Sequence, residues 1–120
     1  MTYSNSKPIK HPALLWSESD FQTHVLHLAK TYGYTLTYHT ADSRRSNPGF
    51  PDLVLVHGKT GKLLFIELKT QVGRVSVHQE SWINGLRIGG HVAEVWRPID
   101  YVSGRIAKVL RGGAVVGRTL

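Results

Sequence analysis

Cysteine is absent from the 120-residue chain, which excludes disulfide bonds and metal sites built from thiolates. Long apolar runs are also missing, since stretches such as residues 53–56 are far too short to span a bilayer. The opening residues 1–4 do not have the apolar core of a signal peptide. Together these absences lead us to expect a soluble, cytoplasmic protein.

Acidic residues are scarce. Eight Asp and Glu stand against fifteen Lys and Arg, a formal net charge of +7. Such an excess favours a polyanionic partner, of which nucleic acid is the commonest, although charge governs association and says nothing about the fold. A length of 120 residues with 41% apolar content suits one domain around one hydrophobic core.

Zinc chemistry has little support in the sequence. Seven histidines are present, but they are scattered and form no His-Glu-x-x-His pattern. His24 and His27 are three residues apart on one helical face, yet no third ligand accompanies them. We therefore expect no zinc site.

The pattern of apolar and turn-forming residues predicts an α/β fold. We interpret residues 1–16 as an extended arm, residues 17–110 as the folded domain and residues 111–120 as a tail. The predicted elements within the domain are helices at 17–33, 76–89 and 98–110, and strands at 34–39, 53–57, 62–69 and 91–97. The order αβββαβα predicts a mixed sheet flanked by helices. The strand at 34–39 alternates in polarity and is expected to be half-buried.

A predicted hairpin brings two acidic residues together. The turn at residues 58–61 pairs positions whose numbers sum to 119, so Asp52 is expected directly opposite Glu67. Their Cβ atoms should then lie about 4.5–5.5 Å apart on one face of the sheet. Lys69 is two residues beyond Glu67 and shares that face.

Facing carboxylates repel each other unless a positive charge lies between them. A hard divalent cation removes that repulsion, and Mg²⁺ suits one or two carboxylates together with a phosphate of the substrate. Lys69 would then stabilise charge that develops on the phosphate, or orient water. The alternative is that Asp52 and Glu67 are strand-end surface charges, with Lys69 in a salt bridge.

These residues resemble a known nuclease superfamily. Residues 49–52, Gly-Phe-Pro-Asp, followed by Glu67, Leu68 and Lys69, resemble the PD-(D/E)XK nucleases. Residues 73–79 followed by Trp82 are similar to the segment after the catalytic hairpin in VRR-NUC domain nucleases, and residues 17–22 are similar to their first helix. The resemblance covers roughly residues 17–97 and is to small, stand-alone, phage-type members.

The resemblance implies metal-dependent phosphodiester hydrolysis and a role for each matching residue. A Mg²⁺ or Mn²⁺ ion would be bound by Asp52, Glu67, the backbone carbonyl of Leu68 and Glu18. Lys69 would position or activate the attacking water, and Gln79 would support the site or touch the scissile phosphate. Glu18 has an alternative role as a favourable charge in the first turn of a helix. Gln79 has one as the partner of Ser76 in a capping box.

The resemblance also implies the partners. Small stand-alone members of the family are similar to Holliday-junction resolvases, so we expect a homodimer that acts on branched DNA. Arg44, Arg45 and Arg74 are expected to contact DNA phosphates, which would give affinity without sequence readout. Two alternatives remain at this point. One is a non-catalytic nucleic-acid-binding module on a nuclease fold, and the other is a restriction-type endonuclease.

Overall fold

A computed structural model describes residues 10–40 and 47–112 of the chain. It has a short 3₁₀ turn at Pro12–Leu15, four α-helices and a four-stranded sheet. The helices are α1 (Glu18–Thr31), α2 (Val77–Ile88), α3 (Pro98–Val102) and α4 (Arg105–Leu110), and the strands are β1 (Leu36–His39), β2 (Leu53–Val56), β3 (Leu63–Leu68) and β4 (Val92–Trp96). The predicted α/β class with helices flanking a mixed sheet is confirmed. Within the described ranges, no helix is long and apolar enough to cross a bilayer.

The sheet has the order β1-β2-β3-β4. Strand β2 is antiparallel to both β1 and β3, and β4 runs parallel to β3. In the β2–β3 hairpin, Leu53 pairs with Ile66 and Val56 with Leu63. The backbone N–H of His57 donates to the carbonyl of Lys62 at 2.9 Å and closes a four-residue turn. The predicted register is therefore confirmed.

Helix α1 begins where the sequence predicted. The Ser17 side chain accepts a hydrogen bond from the N–H of Asp20, and two acidic residues lie in the first turn, where the helix dipole favours them. Phe21 and Val25 on this helix are fully buried. They pack in the main core against the sheet, which fixes the direction in which the start of the helix points.

Different helices pack against the two faces of the sheet. One face, with Leu55 and Ile66, packs in the main core together with residues of α1 and α4. On the other face, Ala93 and Val95 pack against Ile83 of α2. Because Glu67 is aligned with Val95 and side chains alternate along a strand, Glu67 faces the side that α2 covers.

Strand β1 departs from the prediction. We expected a half-buried strand at residues 34–39, but all four residues of Leu36–His39 are exposed. Among the described residues the strand lies at the edge of the sheet, where side chains have neighbouring strand residues on one side only. Of the predicted segment, Tyr34 is buried, and its hydroxyl donates to the carbonyl of Leu110 at 3.1 Å.

The ends of the chain also correct two expectations. The helix predicted at 98–110 is two helices, because Gly104 adopts a left-handed φ of 86° that ends one helix and begins the next. Within the predicted extended arm, residues Pro12–Leu15 form a 3₁₀ turn that buries Ala13, while Leu15 is exposed. Residues 1–9 and 113–120 lie outside the described residues.

Candidate active site

Asp52 and Glu67 face each other at the end of the hairpin. They extend the β2–β3 register by one pair beyond Leu53 and Ile66. The Asp52 carboxylate accepts a hydrogen bond from the backbone N–H of Leu68 at 2.8 Å, which holds it against β3. Glu67 is only 2% exposed, whereas Asp52 is partly exposed. A deeply buried carboxyl and a more accessible one therefore share this position.

Glu67 is electrostatically unusual. Burial raises its pKa to about 8, together with the charge of Asp52 and the hydrogen bond that protonated Glu67 can donate to the Asp52 carboxylate. Lys69 opposes this rise, and Glu18 adds slightly to it. Without a cation, Glu67 therefore holds its proton to a higher pH than an exposed glutamate does, because a second negative charge at this depth is costly.

The two carboxyl oxygens of Glu67 have different surroundings. Oε2 accepts a hydrogen bond from Nε2 of Gln79 at 2.8 Å and lies 3.8 Å from Nζ of Lys69. Oε1 is buried and has no hydrogen-bond partner among the described residues. A buried oxygen without a partner is rare and needs an explanation, and a bound cation is one. The donor set here, carboxylates and main-chain oxygen, is what Mg²⁺ and Mn²⁺ prefer.

Gln79 makes the predicted capping-box contact with Ser76 and, in addition, a contact with Glu67. Its Oε1 accepts from the N–H of Ser76 at 2.9 Å, and the Ser76 hydroxyl accepts from the N–H of Gln79 at 3.1 Å, which completes a capping box. Its Nε2 is then directed at Glu67. The start of α2 thus fixes the orientation of the amide that holds Glu67 in place.

Glu18 lies close enough to Asp52 and Lys69 for their charges to change its pKa. Burial raises its pKa, the charge of Asp52 raises it further and Lys69 lowers it. Even so, no three His, Cys, Asp or Glu side chains converge as a metal-ligand cluster in residues 10–40 and 47–112. In this arrangement Asp52 and Glu67 come together, and Glu18 stands beside them.

Lys69 is held at the mouth of the site. Its backbone N–H donates to the carbonyl of Trp96 at 3.0 Å, and its side chain is 13% exposed. A Cβ at Gly73 would lie 3.5 Å from Cδ of Lys69, so the following turn runs along the lysine stem. The ammonium group is therefore directed beside Glu67 and remains partly accessible from outside.

Several supporting residues escaped the sequence analysis. Thr40 donates from its hydroxyl to the carbonyl of Pro51 at 2.6 Å and from its N–H to the carbonyl of Asp52 at 2.8 Å. Arg97 donates to three carbonyls of the turn that follows Lys69. The hydrogen bonds of Thr40 and of Arg97 join residues more than ten positions apart, so no local sequence pattern predicts them.

Of the predicted DNA-contacting arginines, Arg74 is exposed and lies between the Lys69 turn and the start of α2. Arg44 and Arg45 lie outside the described residues. The described residues that follow them pack against α2, since the ring of Phe50 lies edge-on to the ring of Trp82 at a centroid distance of 5.0 Å. Phe50 is thus a packing residue that ties the approach to Asp52 to the second helix.

Gly49 is the tightest point among these residues. Its φ is 86°, and an added Cβ would overlap the backbone carbonyl of His78. We predict that Gly49→Ala lowers the thermal unfolding midpoint, at a cost of roughly 2–4 kcal/mol, because backbone strain and a clash with main chain combine. Gly61→Ala is the matched control, since its φ is 73° and nothing lies within 4 Å of the added Cβ. Equal loss in the two variants, measured by calorimetry, would show that the contact with α2 is unimportant.

Comparison with known proteins agrees with this geometry. A comparison with curated proteins gives no match. A solved structure described as a VRR_NUC domain protein superposes with a TM-score of 0.57 at 21% sequence identity, over 82% of this chain and 91% of that chain, and this shows a shared fold. The sequence model of the VRR-NUC domain matches residues 2–97, which is most of the chain. The chain belongs to the VRR-NUC domain family and has a nuclease fold.

Proposed function

We propose that this protein is a divalent-metal-dependent DNA endonuclease that hydrolyses phosphodiester bonds. The observation that carries the proposal is the buried Glu67 carboxylate, which faces Asp52, lies beside Lys69 and has one oxygen without a partner among the described residues. Such an arrangement is unfavourable for folding alone, and strained electrostatics of this kind are typical of functional sites.

Asp52, Glu67 and the Leu68 carbonyl are the groups we propose as ligands for Mg²⁺ or Mn²⁺. Their oxygen chemistry fits either ion, and the Leu68 N–H already holds Asp52 in position. Glu18 adds negative potential at the edge of the site, which raises the affinity for a cation. When bound, the ion would neutralise charge on the phosphate and make water acidic enough to attack near neutral pH.

Lys69 and Gln79 would position the reacting groups and stabilise the charge that develops during hydrolysis. Lys69 carries a positive charge beside Glu67, from which it can hold the attacking water and offset charge that develops on the phosphate. Gln79 keeps the Glu67 carboxylate in one orientation, so the ligand geometry exists before substrate arrives. The low exposure of Glu67 and Lys69 strengthens each of these interactions.

We further propose branched DNA as the substrate and a homodimer as the active form. The +7 charge and exposed Arg74 support a DNA partner, to which Arg44 and Arg45 would contribute. Strand β1 supports the dimer: in the part of the chain that is described it is an edge of the sheet, and Leu36 and Tyr38 on it are 62% and 60% exposed. A second copy pairing there would satisfy the edge and bury both side chains.

The central test is metal-dependent cleavage. We expect the purified protein to cut DNA in Mg²⁺ or Mn²⁺ and to be inactive in EDTA. Asp52→Asn and Lys69→Ala should each lower the rate roughly a hundred- to ten-thousandfold while leaving the fold intact. Glu80→Gln, which removes an exposed acid from the first turn of α2, should retain full activity.

The substrate panel should contain four-way junctions, flaps, nicked duplex and linear duplex, run beside a measurement of molecular mass in solution. Symmetric cuts in a junction by a dimer would support the full proposal. DNA binding without metal-dependent cleavage of any substrate would instead favour a binding module on the nuclease fold. Cleavage confined to one sequence in linear duplex would favour a restriction-type enzyme.

A further inference from the structure

The turn that follows Lys69 is held in place unusually firmly. Residues 70–73 form a tight turn in which the N–H of Gly73 donates to the carbonyl of Thr70 at 3.3 Å. One nitrogen of Arg97, Nη1, reaches the carbonyls of Thr70 at 2.9 Å, Gln71 at 3.5 Å and Gly73 at 2.6 Å. The Gln71 side chain accepts from the N–H of Ile99 at 3.0 Å. These bonds fix the main chain of the turn to the start of α3.

The residue at the tip of this anchored turn is apolar. Val72 is 89% exposed, and no bond in the turn depends on its side chain. Val77, the first residue of α2, is 80% exposed, and exposed Arg74 stands between the two in the sequence. Single exposed apolar residues are common, but here two of them flank a cation in the sequence, on the segment that joins Lys69 to Gln79.

The turn that carries Val72 is adjacent to the catalytic candidate Lys69. Gly73 of this turn lies against the stem of Lys69, and Val77 opens the helix whose Gln79 holds Glu67. DNA whose phosphate reaches Lys69 therefore lies beside the turn that carries Val72. Arg74 gives this segment a positive charge, and the chain as a whole has an excess of +7, which suits a polyanionic partner.

We propose that Val72 is a wedge that packs against the face of a nucleobase where stacking in DNA is interrupted, and so favours branched over continuous DNA. The proposal rests on the proposed function, since it names the feature that would select the substrate. Contacts to phosphates cannot make this selection, because every DNA carries them. An apolar side chain can distinguish the two kinds of DNA, because the face of a base is accessible at a branch point but is covered by the neighbouring base pair in a continuous duplex.

A rigid wedge also explains why Arg97 binds three carbonyls. Packing against a base repays little if the turn must first be ordered, since ordering a loop costs conformational entropy. The Arg97 contacts order the turn when the protein folds, so no further ordering is needed when DNA binds. Arg97 is thus a positioning residue for the wedge, and Val72 is the contact.

The test compares Val72→Ser with wild type for binding to a four-way junction and to a continuous duplex of the same sequence, in EDTA so that no cleavage occurs. We expect the junction preference of wild type to fall roughly five- to tenfold in the variant, with duplex binding unchanged. Ile88→Ser is the matched control, because Ile88 is 88% exposed at the far end of α2. It should change neither affinity.

A second readout reports on the base itself. With 2-aminopurine at the branch point, wild type should change the fluorescence on binding, and Val72→Ser should change it much less. The wedge is refuted if the junction-to-duplex ratio is the same in both proteins, if wild type shows no junction preference, or if Val72→Ser alters the molecular mass of the protein and hence disrupts a subunit interface. Because binding is measured without metal, a failure of cleavage would refute the proposed function and leave this test intact.

Discussion

Replacing Glu67 by glutamine is expected to reduce DNA cleavage by roughly a thousandfold or more and, at the same time, to stabilise the metal-free protein. The loss follows because an amide is a far weaker ligand for a hard cation than a carboxylate. The gain follows because the amide can accept from Gln79 and donate to Asp52, where the carboxylate is repelled. Opposite effects on activity and stability are the mark of a residue kept for function.

The measurement is a cleavage time course in Mg²⁺ together with thermal unfolding in EDTA at pH 8. Glu80→Gln serves again as the control, because it removes a carboxylate of similar size from an exposed position. We expect its cleavage rate to match that of wild type and its unfolding midpoint to fall slightly, because the helix dipole favours a negative charge in the first turn of α2. A Glu67→Gln variant that cuts DNA at the wild-type rate would eliminate Glu67 as a ligand. One that unfolds at lower temperature than wild type would show that the carboxylate serves the fold.

The second large effect concerns pH. The metal-free protein is expected to lose stability as the pH rises from about 4.5 to about 8. The pKa of Glu67 is higher in the folded state than in the unfolded chain, so between pH 4.5 and 8 the folded protein keeps a proton that the unfolded chain has released. Below pH 4.5 this difference contributes fully to stability, and the contribution is lost as the pH rises through the folded-state pKa of about 8. The raised pKa of Glu18 acts in the same direction. Each kcal/mol lost lowers the unfolding midpoint by roughly 3–6 °C.

Magnesium should reverse this trend. A cation that binds only the folded form stabilises it, and it competes with the proton on Glu67, so its effect should grow with pH. Unfolding midpoints at pH 5, 6.5 and 8, with and without MgCl₂, test the prediction directly. In Glu67→Gln both the slope with pH and the rise with Mg²⁺ should largely vanish. Wild-type midpoints in EDTA that rise steadily from pH 5 to 8 would contradict it.

The sequence predicted the part of the site that depends on local geometry. A symmetric turn forces the hairpin register, so the pairing of Asp52 with Glu67 follows from counting. The capping box at Ser76 is equally local, and it places Gln79. Predicting the broad fold required only the order of the elements, because apolar periodicity survives wherever a strand or helix buries one face.

Features that depend on long-range contact were not predicted. The exposure of β1 reflects its place at the edge of the sheet, which its own alternating sequence does not encode. The break at Gly104 required a left-handed φ, which glycine permits but does not demand. The contact of Gly49 with α2 and the grip of Arg97 on the turn join distant segments. Each becomes visible only when the core has brought the elements together.

The anchoring of the 70–73 turn has a practical consequence for engineering. Arg97 grips main-chain oxygens, which every amino acid possesses, so position 72 can be varied without altering the path of the chain. A saturation library at Val72 would therefore alter one contact at a fixed place beside Lys69, with little penalty in folding. Side chains of graded size and polarity at this one position would then measure how strongly a contact on the turn changes the preference among DNA substrates.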